Sequence, residues 1–219
     1  MEQTRTNEEH SKEEVHRMIV EKALEMFAER GIKDVKMDDI AHALTISKRT
    51  IYEIFTDKEQ LLLEALRLSN RRMNCEAKRR IRKAKNVLDI VLELYTIYFE
   101  SIKQINVRFF KELEKYPNIR NLHEKRNHKN DHKFLAWMEL GRKQGMFRED
   151  ANFEILLFIL RRNLQTIFTA NLKDETNELS QYTPEELGHS LILFYLRGIS
   201  TAKGQEIIEE YIEKNKTTK

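Results

Sequence analysis

Glycine and proline, the residues that most often interrupt secondary structure, are scarce in this chain, with six and two respectively among 219 residues. A sheet protein reverses its chain about every ten residues and depends on both residue types to do so. Apolar residues instead recur at intervals of three and four over most of the sequence, which is the period of an amphipathic helix. The sequence therefore predicts an all-α fold, long enough for one large domain or two small ones.

The common catalytic and cofactor-binding motifs are absent from the sequence. It contains no GxxxxGK[ST], GxGxxG, HExxH, CxxC or GxSxG pattern. Its single cysteine, Cys75, cannot form an internal disulfide, and the N-terminus lacks the apolar segment of a signal peptide. The longest stretches without Asp, Glu, Lys or Arg, 163–172 and 187–196, have ten residues, about half of a membrane-spanning helix. We therefore expect a cytoplasmic protein without a membrane span, cofactor or bound metal. The missing motifs favour a protein that is not an enzyme, and an enzyme stays the alternative.

The N-terminal part of the chain has three helical patterns in succession. Apolar residues keep helical spacing from residue 13 to Gly31, a typical C-terminal glycine, while the polar residues 1–12 are predicted to fray. Two shorter patterns follow, over 37–44 and 48–55, and Ser47 is a good N-cap for the second. Two short helices joined by a three-residue link predict a helix-turn-helix.

The second of these short helices has one apolar face and one polar face. Lys48, Arg49 and Tyr52 lie together on the polar face. A helix-turn-helix inserts the start of its second helix into the major groove, where Lys and Arg can donate to guanine O6 and N7. Lys58 and the free amides of the next helix could hold a backbone phosphate, and Tyr52 could donate to another. The same pattern also fits a solvated helix surface.

The formal net charge of +3 hides an uneven distribution. Residues 1–60 hold ten basic and fourteen acidic residues, a net charge of −4, and residues 67–85 hold nine basic and one acidic residue, a net charge of +8. The acidic excess counts against DNA binding, although it lies mostly in 1–30, away from Lys48 and Lys58. We interpret the basic segment as a solvated helix face, with attraction to a DNA backbone as the alternative.

One run of residues fixes apolar, capping and cationic positions over three helices in a single register. It reads Gly31 … Met37-x-x-Ile40-Ala41 … Ile46-Ser47-x-x-Thr50-Ile51-Tyr52-x-x-Phe55-x-x-Lys58-Glu59-x-Leu61. This run, within residues 13–66, closely resembles the N-terminal signature of the TetR family of bacterial transcriptional regulators. The resemblance implies DNA binding, with some side chains near bases (Lys48, Arg49 and Thr50) and others near phosphates (Tyr52, Lys58 and Thr45).

Three positions depart from the family pattern. Lys36 stands where a Ser or Thr N-cap is usual, so the 37–44 helix is expected to start less well. Thr45 replaces the usual turn glycine, so a residue with a Cβ is expected in a left-handed conformation. Ile54 stands where a Tyr or His often touches phosphate, which removes one expected contact.

We divide the chain into a DNA-binding domain, 1–56, and a helical effector-binding and dimerisation domain, 57–219. The sequence predicts that a helix begins at Asp57 and continues for several turns, without loop composition before Asn86. The periodicity predicts further helices in the second domain at 87–105, 107–115, 134 to about 145, 151–172, 184–199 and 203–214, with a polar connection over 118–133. The resemblance implies a homodimer, held by the helices at 151–172 and 184–199, on a palindromic DNA operator. Both helices are apolar on more than one face, and Gly188, Ser190 and Gly198 permit close helix packing. Burial of both helices within a monomer is the alternative.

The resemblance also implies a cavity for a small effector in the second domain. The candidate lining residues are Tyr95, Tyr98, Phe99, Ile102, Phe110, Trp137 and Met138, with Arg161, Arg162 and Gln165 as polar groups. An aromatic stripe is more often core than pocket. The arginine pair needs a partner if it is buried, and we favour Glu112, Glu139 or the dimer mate over a carboxylate ligand.

Histidine spacing offers one further alternative. His128 and His132 stand four residues apart, with His123 and Asp131 nearby, as metal ligands on one helix face can. Because lysines and arginines surround them, we interpret this segment as a solvated face without a metal.

The sequence thus favours a TetR-type repressor that a small effector releases from DNA. The first alternative has the same fold but no small-molecule effector, acting constitutively or through a protein partner, and the second is a helical enzyme or adaptor.

Overall fold

A computed structural model of the chain describes residues 2–103, 105–169 and 181–216, without the side chains of 2–11, 123–124, 127–129, 168–169 and 215–216. The described residues contain no β-strand and form ten helices, which confirms the all-α prediction. The helices are α1 (Glu2–Arg30), α2 (Met37–Ala43), α3 (Lys48–Ile54), α4 (Lys58–Ile81), α5 (Val87–Ile102), α6 (Val107–Leu113), α7 (Pro117–Lys143), α8 (Phe153–Thr169), α9 (Pro184–Ile199) and α10 (Ala202–Lys216).

The chain divides into two compact units. The first, which we call the N-terminal unit, consists of Met1–Asn74 and Gln104–Arg120, and the second, the C-terminal unit, of Cys75–Lys103 and Asn121–Lys219. The N-terminal unit therefore contains α6 and the first turns of α4 as well as residues 1–56. Our division by function, 1–56 and 57–219, stays a prediction.

The core of the N-terminal unit is built from the apolar faces of α1, α2, α3, α4 and α6. Its fully buried members, each exposed by 1% or less, include Phe27, Ile40, Ile51, Phe55 and Leu61. Phe109 of α6 and Ile119 complete the same cluster. These residues recur at helical spacing on each helix, so each helix has one face turned to the shared core.

Helix α6 also completes the end of α1. The backbone N–H of Asn106 donates to the carbonyl oxygen of Ala28 at 2.7 Å, and its side-chain amide donates to Glu29 at 3.1 Å. These carbonyls lie in the last turn of α1, where the carbonyl oxygens have no N–H donors within the helix itself. Gly31 follows with φ +87°, as predicted for a C-terminal glycine.

The C-terminal unit packs α8 against α9 and sets α5 against both α9 and α10. Gly188 lets α9 approach α5 closely, because a Cβ there would lie 2.4 Å from Cε1 of Phe99. Gly204 has the same role in α10, since its Cβ would lie 2.3 Å from the backbone oxygen of Met146. The buried apolar side chains of this unit include Leu88, Val91, Met138, Phe147, Ile192, Leu196 and Ile208.

Two predicted boundaries are wrong. Helix α1 begins at Glu2, so the polar residues that we expected to fray continue the helix. The polar stretch 118–133 is helical as well, because α7 runs from Pro117 to Lys143. Proline suits the first turn of a helix, where its missing N–H has no partner to lose. The last residues of the predicted 151–172 helix, 170–172, lie outside the described residues.

The basic segment 67–85 lies mostly on α4, where several of its cations are paired. Arg72 pairs with Glu21 of α1, and Arg79 and Arg80 pair with Glu76 one turn away. Arg80 also reaches Glu100 of α5, with Nη2 and Oε2 2.5 Å apart. These pairs support the interpretation of this segment as a solvated helix face, because carboxylates of the same chain engage its cations. Within the described ranges, no helix is both long and apolar enough to cross a membrane.

Candidate nucleic-acid interface

Helices α2 and α3 are joined by a tight turn at Thr45. Its φ of +56° is the only positive value at a non-glycine residue in the described part of the chain, as the missing turn glycine predicts. The N–H of Thr45 donates to His42, and the N–H of Ile46 donates to Ala41, at 3.1 and 3.0 Å. These bonds use carbonyls at the end of α2, so the turn closes that helix as it redirects the chain.

Ser47 caps α3 as predicted. Its Oγ accepts from the N–H of Thr50 at 3.0 Å, and the hydroxyls of the two residues lie 2.8 Å apart. Thr50 is half-buried and engaged in this cap, whereas Thr45 is exposed. The structure therefore gives Thr50 a capping role, and its predicted contact with a base stays a prediction.

The inner face of α3 is fixed by the core. Ile51 is fully buried and Phe55, directly after the helix, is 1% exposed. The centroid of the Phe55 ring lies 4.9 Å from the centroid of the His16 ring on α1. Ile54 is half-buried against the same core, so this departure from the family pattern serves packing. The polar face is thereby held outward.

Lys48 is exposed on this outer face and engaged by a carboxylate. Its Nζ lies 2.8 Å from Oδ2 of Asp38 on α2 and 5.8 Å from the centroid of the Tyr52 ring. The hydrogen bond to Asp38 raises the pKa of Lys48 above its ordinary value. Tyr52 is 46% exposed. The structure thus brings the predicted Lys48 and Tyr52 together and adds Asp38, which the sequence analysis did not predict.

Arg49 is the most exposed cation of α3, with 87% of its side chain accessible. Its Nε donates to Oε1 of Glu53 at 2.7 Å, and this bond raises the pKa of Arg49. Glu53 stands one turn along the same helix. Its spacing from Arg49 was visible in the sequence, because residues four apart on a helix are neighbours.

Lys58, by contrast, is turned toward the protein. Its Nζ lies 3.5 Å from the carbonyl oxygen of Lys33 and 5.9 Å from the centroid of the Phe27 ring. Partial burial lowers the pKa of Lys58, while the nearby carboxylates act in the opposite direction (Glu112, Asp34 and Asp39). The lysine predicted to contact phosphate therefore already has a negative environment within the N-terminal unit.

The start of α2 differs from a complete capping box. The side chain of Lys36 has no acceptor for the free amides, as the sequence indicated. Asp39 supplies the other half, because its Oδ2 accepts from the N–H of Lys36 at 2.7 Å. A further carboxylate holds the preceding loop, since Oε2 of Glu112 on α6 accepts from the N–H of Lys33 at 2.7 Å.

The predicted effector residues are not all brought together. Phe110 lies in the N-terminal unit, packed against its core, whereas the other nine lie in the C-terminal unit. Among these, Phe99 and Ile102 are buried, and Trp137 is half-buried. Burial raises the pKa of Tyr95, and it raises that of Tyr98 to about 12.

A small apolar cavity in the C-terminal unit has a volume of about 20 Å³. Two predicted residues line it, Tyr95 and Met138, together with Phe134, Phe153, Leu156, Leu157, Leu160, Ile192, Tyr195, Leu196 and Ile199. This volume accommodates about one water molecule. The space beside Tyr95 and Met138 is therefore nearly filled, and the predicted effector pocket stays a prediction.

The predicted arginine pair divides into one paired and one exposed side chain. Arg161 forms an ion pair with Asp131 of α7, a partner that the sequence analysis did not consider. Arg162 and Gln165 are exposed. The predicted partner Glu139 pairs instead with Arg142, at 3.1 Å.

The C-terminal unit also has a larger open groove of about 530 Å³, and none of the ten predicted effector residues lines it. It is rich in carboxylates (Glu139, Glu149, Asp150 and Glu154) and contains one cation, Arg142. Two of the carboxylates already have arginine partners. Among the described residues, no group of three or more His, Cys, Asp or Glu could hold a metal ion. The side chains of His123 and His128 lie outside the described ones.

Helices α8 and α9 expose large apolar side chains. Ile155, Phe158 and Ile159 of α8 are 56%, 65% and 39% exposed, and they share one helix face. Phe194 of α9 is 75% exposed. Gly188, one of the small residues predicted to permit close helix packing, is used within the chain against Phe99.

Comparisons with known proteins show what the helix-turn-helix and the whole fold are similar to. Residues 19–65 match a family model described as "Bacterial regulatory proteins, tetR family". No curated protein sequence matches the chain.

Solved structures show a similar fold over most of the chain. A transcriptional regulator from Saccharomonospora viridis in complex with choline has 22% identity and a TM-score of 0.72, covering 86% of this chain and 99% of that one. The ketosteroid transcriptional regulator KstR2 of Mycobacterium tuberculosis has 22% identity and a TM-score of 0.58, covering 85% and 95%. The fatty acid degradation regulator FadR of Bacillus halodurans has 17% identity and a TM-score of 0.61, covering 83% and 94%.

Proposed function

Because residues 19–65 match the model of the tetR family of bacterial regulatory proteins, we propose that the chain is a dimeric transcriptional regulator that binds a palindromic DNA operator. The observation that carries this proposal is the outer face of α3. There the core fixes the helix through Ile51, while Lys48, Arg49 and Tyr52 remain exposed. A helix held in this way presents donors to guanine O6 and N7 in the major groove. The proposal includes no enzymatic activity.

The contacts divide into base readers and phosphate contacts. Lys48, Arg49 and Thr50 read bases, and Tyr52, Lys58 and Thr45 contact phosphates. To contact a phosphate, the ammonium of Lys58 must leave the carbonyl oxygen of Lys33, 3.5 Å away, or donate to both oxygens at once. We expect this exchange to be easy, because a hydrogen bond at that distance is weak.

Selection from random DNA duplexes tests the proposal. We expect the purified protein to enrich a palindrome whose half-sites lie about one helical turn, roughly 34 Å, apart. A protein that enriches no sequence would contradict the proposal. Enrichment of one unrepeated half-site would leave DNA binding intact and contradict the dimer.

We propose that the second copy of the chain covers the apolar face of α8 and α9. Phe158 and Phe194 expose 65% and 75% of their surface, and side chains of this size typically mark an interface when they form a patch. A closed two-fold dimer pairs the same patch on both copies. It also gives the operator its palindromic symmetry.

Sedimentation of matched variants tests this interface. We expect Phe194→Glu to convert a dimer to a monomer, because the new carboxylate would be buried without a partner. Leu140→Glu is the control, since Leu140 is also apolar and 46% exposed but lies on α7. Equal behaviour of the two variants would contradict the proposed interface.

We propose repression that a small-molecule effector relieves from within the C-terminal unit. Tyr95 and Met138 line the apolar cavity there, and a solved structure of similar fold contains choline. A cavity of about 20 Å³ must enlarge to admit such a molecule. The effector would therefore select a minor, opened conformation.

The tight packing of this cavity favours a second candidate, a regulator of the same fold without a small-molecule effector. Choline and a medium-chain fatty acid are suitable probes for thermal unfolding and operator binding. An effector should raise the melting temperature and weaken operator binding together. Probes that change neither property, while operator binding is intact, support the second candidate.

A further inference from the structure

We propose that Asp38 and Glu53 determine DNA specificity, by holding the two cations of α3 so that they bind non-operator DNA weakly. This inference rests on the proposed function. It concerns two carboxylates that the family signature in this chain does not include.

Both exposed cations of α3 are engaged in the free protein. Lys48 lies 2.8 Å from Asp38, and Arg49 lies 2.7 Å from Glu53. All four side chains are more than half exposed, so the pairs lie on the surface that would face DNA. The two carboxylates come from different helices, α2 and α3, yet each is placed on one cation. The exposed face of α3 is therefore close to neutral, although it has the donors for base recognition.

DNA that lacks the operator sequence binds such a nearly neutral face only weakly. Non-specific binding is driven by release of counterions when free cations neutralise phosphates. A cation already neutralised by a carboxylate contributes less to that release. If the cation leaves its carboxylate to contact a phosphate, the carboxylate keeps its negative charge and repels the phosphates.

The right base sequence changes this balance. An exposed ion pair contributes at most about fivefold to an equilibrium, so it breaks easily. A bidentate contact between Arg and guanine discriminates between bases by about 5- to 150-fold and outweighs the pair. Glu53, once released, can accept from a cytosine N4 amine, which a phosphate cannot offer. The carboxylates thus weaken binding to every duplex. The loss is largest on non-operator DNA, where no base contact replaces the ion pairs that must break.

Amide variants test this mechanism, because they remove the charge and keep the size of the side chain. We compare wild type, Asp38→Asn and Glu53→Gln on the selected operator and on a scrambled duplex of equal length and composition. Binding is followed by fluorescence anisotropy at several salt concentrations. Asp150→Asn is the matched control, because Asp150 pairs with Arg148 at 2.6 Å, is 68% exposed and lies in the C-terminal unit.

We expect each amide variant to bind the scrambled duplex roughly 3- to 10-fold more tightly, with a salt dependence steeper by up to about one counterion. Affinity for the operator should rise less, so the ratio of the two affinities should fall at least about threefold. Asp150→Asn should leave this ratio unchanged. Circular dichroism of each variant verifies that the helices are retained.

Two results would overturn the inference. An unchanged ratio in both amide variants would mean that the carboxylates act only through net charge. A ratio lowered equally by Asp150→Asn would mean the same. Failure of the proposed function gives a different result, because the wild-type protein would then show no preference between the two duplexes. That result would overturn both the proposed function and this inference.

Discussion

Replacing Thr45 by glycine should stabilise the N-terminal unit. Thr45 has φ +56°, a left-handed conformation that is unfavourable by about 1–2 kcal/mol for a residue with a Cβ. Its side chain is exposed, so its removal leaves no cavity. Glycine gains flexibility in the unfolded chain, which offsets about 0.4–1 kcal/mol. The expected net gain is about 0.5–1 kcal/mol in the free energy of unfolding.

Hydrogen exchange of peptides from α2 and α3 measures this gain locally. A stabilisation of this size should slow exchange roughly two- to fivefold where amides exchange by unfolding of this unit. Thr45→Asn should give an intermediate effect, because asparagine tolerates the left-handed region better than threonine. Faster exchange in Thr45→Gly would refute the argument that the turn is strained.

Gly145 provides the matched reverse substitution. Its φ is +72° and a Cβ there would meet no atom within 4 Å, so only the backbone conformation opposes a side chain. Gly145→Ala should therefore destabilise the C-terminal unit by about 0.5–1 kcal/mol. If Thr45 also contacts phosphate, as the family resemblance implies, Thr45→Gly should be more stable and yet bind the operator less tightly.

Three further substitutions have defined outcomes. Lys36→Ser should complete the capping box of α2 and raise the free energy of unfolding by about 1 kcal/mol in urea titrations, because the new hydroxyl can accept a free amide. Gly204→Ala should lower the melting temperature, with a penalty of about 1–3 kcal/mol or more, because its Cβ would lie 2.3 Å from the backbone oxygen of Met146. Glu76 has a pKa lowered to about 2 from 4.5 by hydrogen bonds from two arginines, so it stabilises the fold above pH 4.5 and less as the pH falls toward 2. Glu76→Gln should remove that part of the pH dependence in urea titrations between pH 6 and 3. No change in unfolding for either of the first two variants, or an unchanged pH dependence for the third, would contradict these assignments.

Local features of the fold were predictable from the sequence. Apolar spacing located most helices within a few residues, because an amphipathic helix reports its period directly. The cap at Ser47 and the left-handed residue at Thr45 followed from the register of the helix-turn-helix pattern. The length of α7 could not be predicted in this way, because the polar first half of that helix has no apolar periodicity.

Contacts between distant parts of the chain were not predictable. Arg49 and Glu53 are neighbours by helical spacing alone, but the approach of Asp38 to Lys48 depends on the angle between α2 and α3. The place of Phe110 in the N-terminal unit depends in the same way on how α6 packs. Periodicity predicts that an aromatic residue is buried, but not whether the space around it is filled. The predicted effector residues therefore remain a prediction.

The measurement that most directly tests the role of α3 is a comparison of base preferences in two variants. Selection from random duplexes is repeated with Arg49→Ala and Lys58→Ala. We expect Arg49→Ala to lose base preference at one symmetric pair of operator positions, because it removes a base contact. Lys58→Ala should retain the wild-type palindrome and bind all duplexes more weakly. An unchanged palindrome with Arg49→Ala, together with equal weakening on every sequence by both variants, would contradict the account.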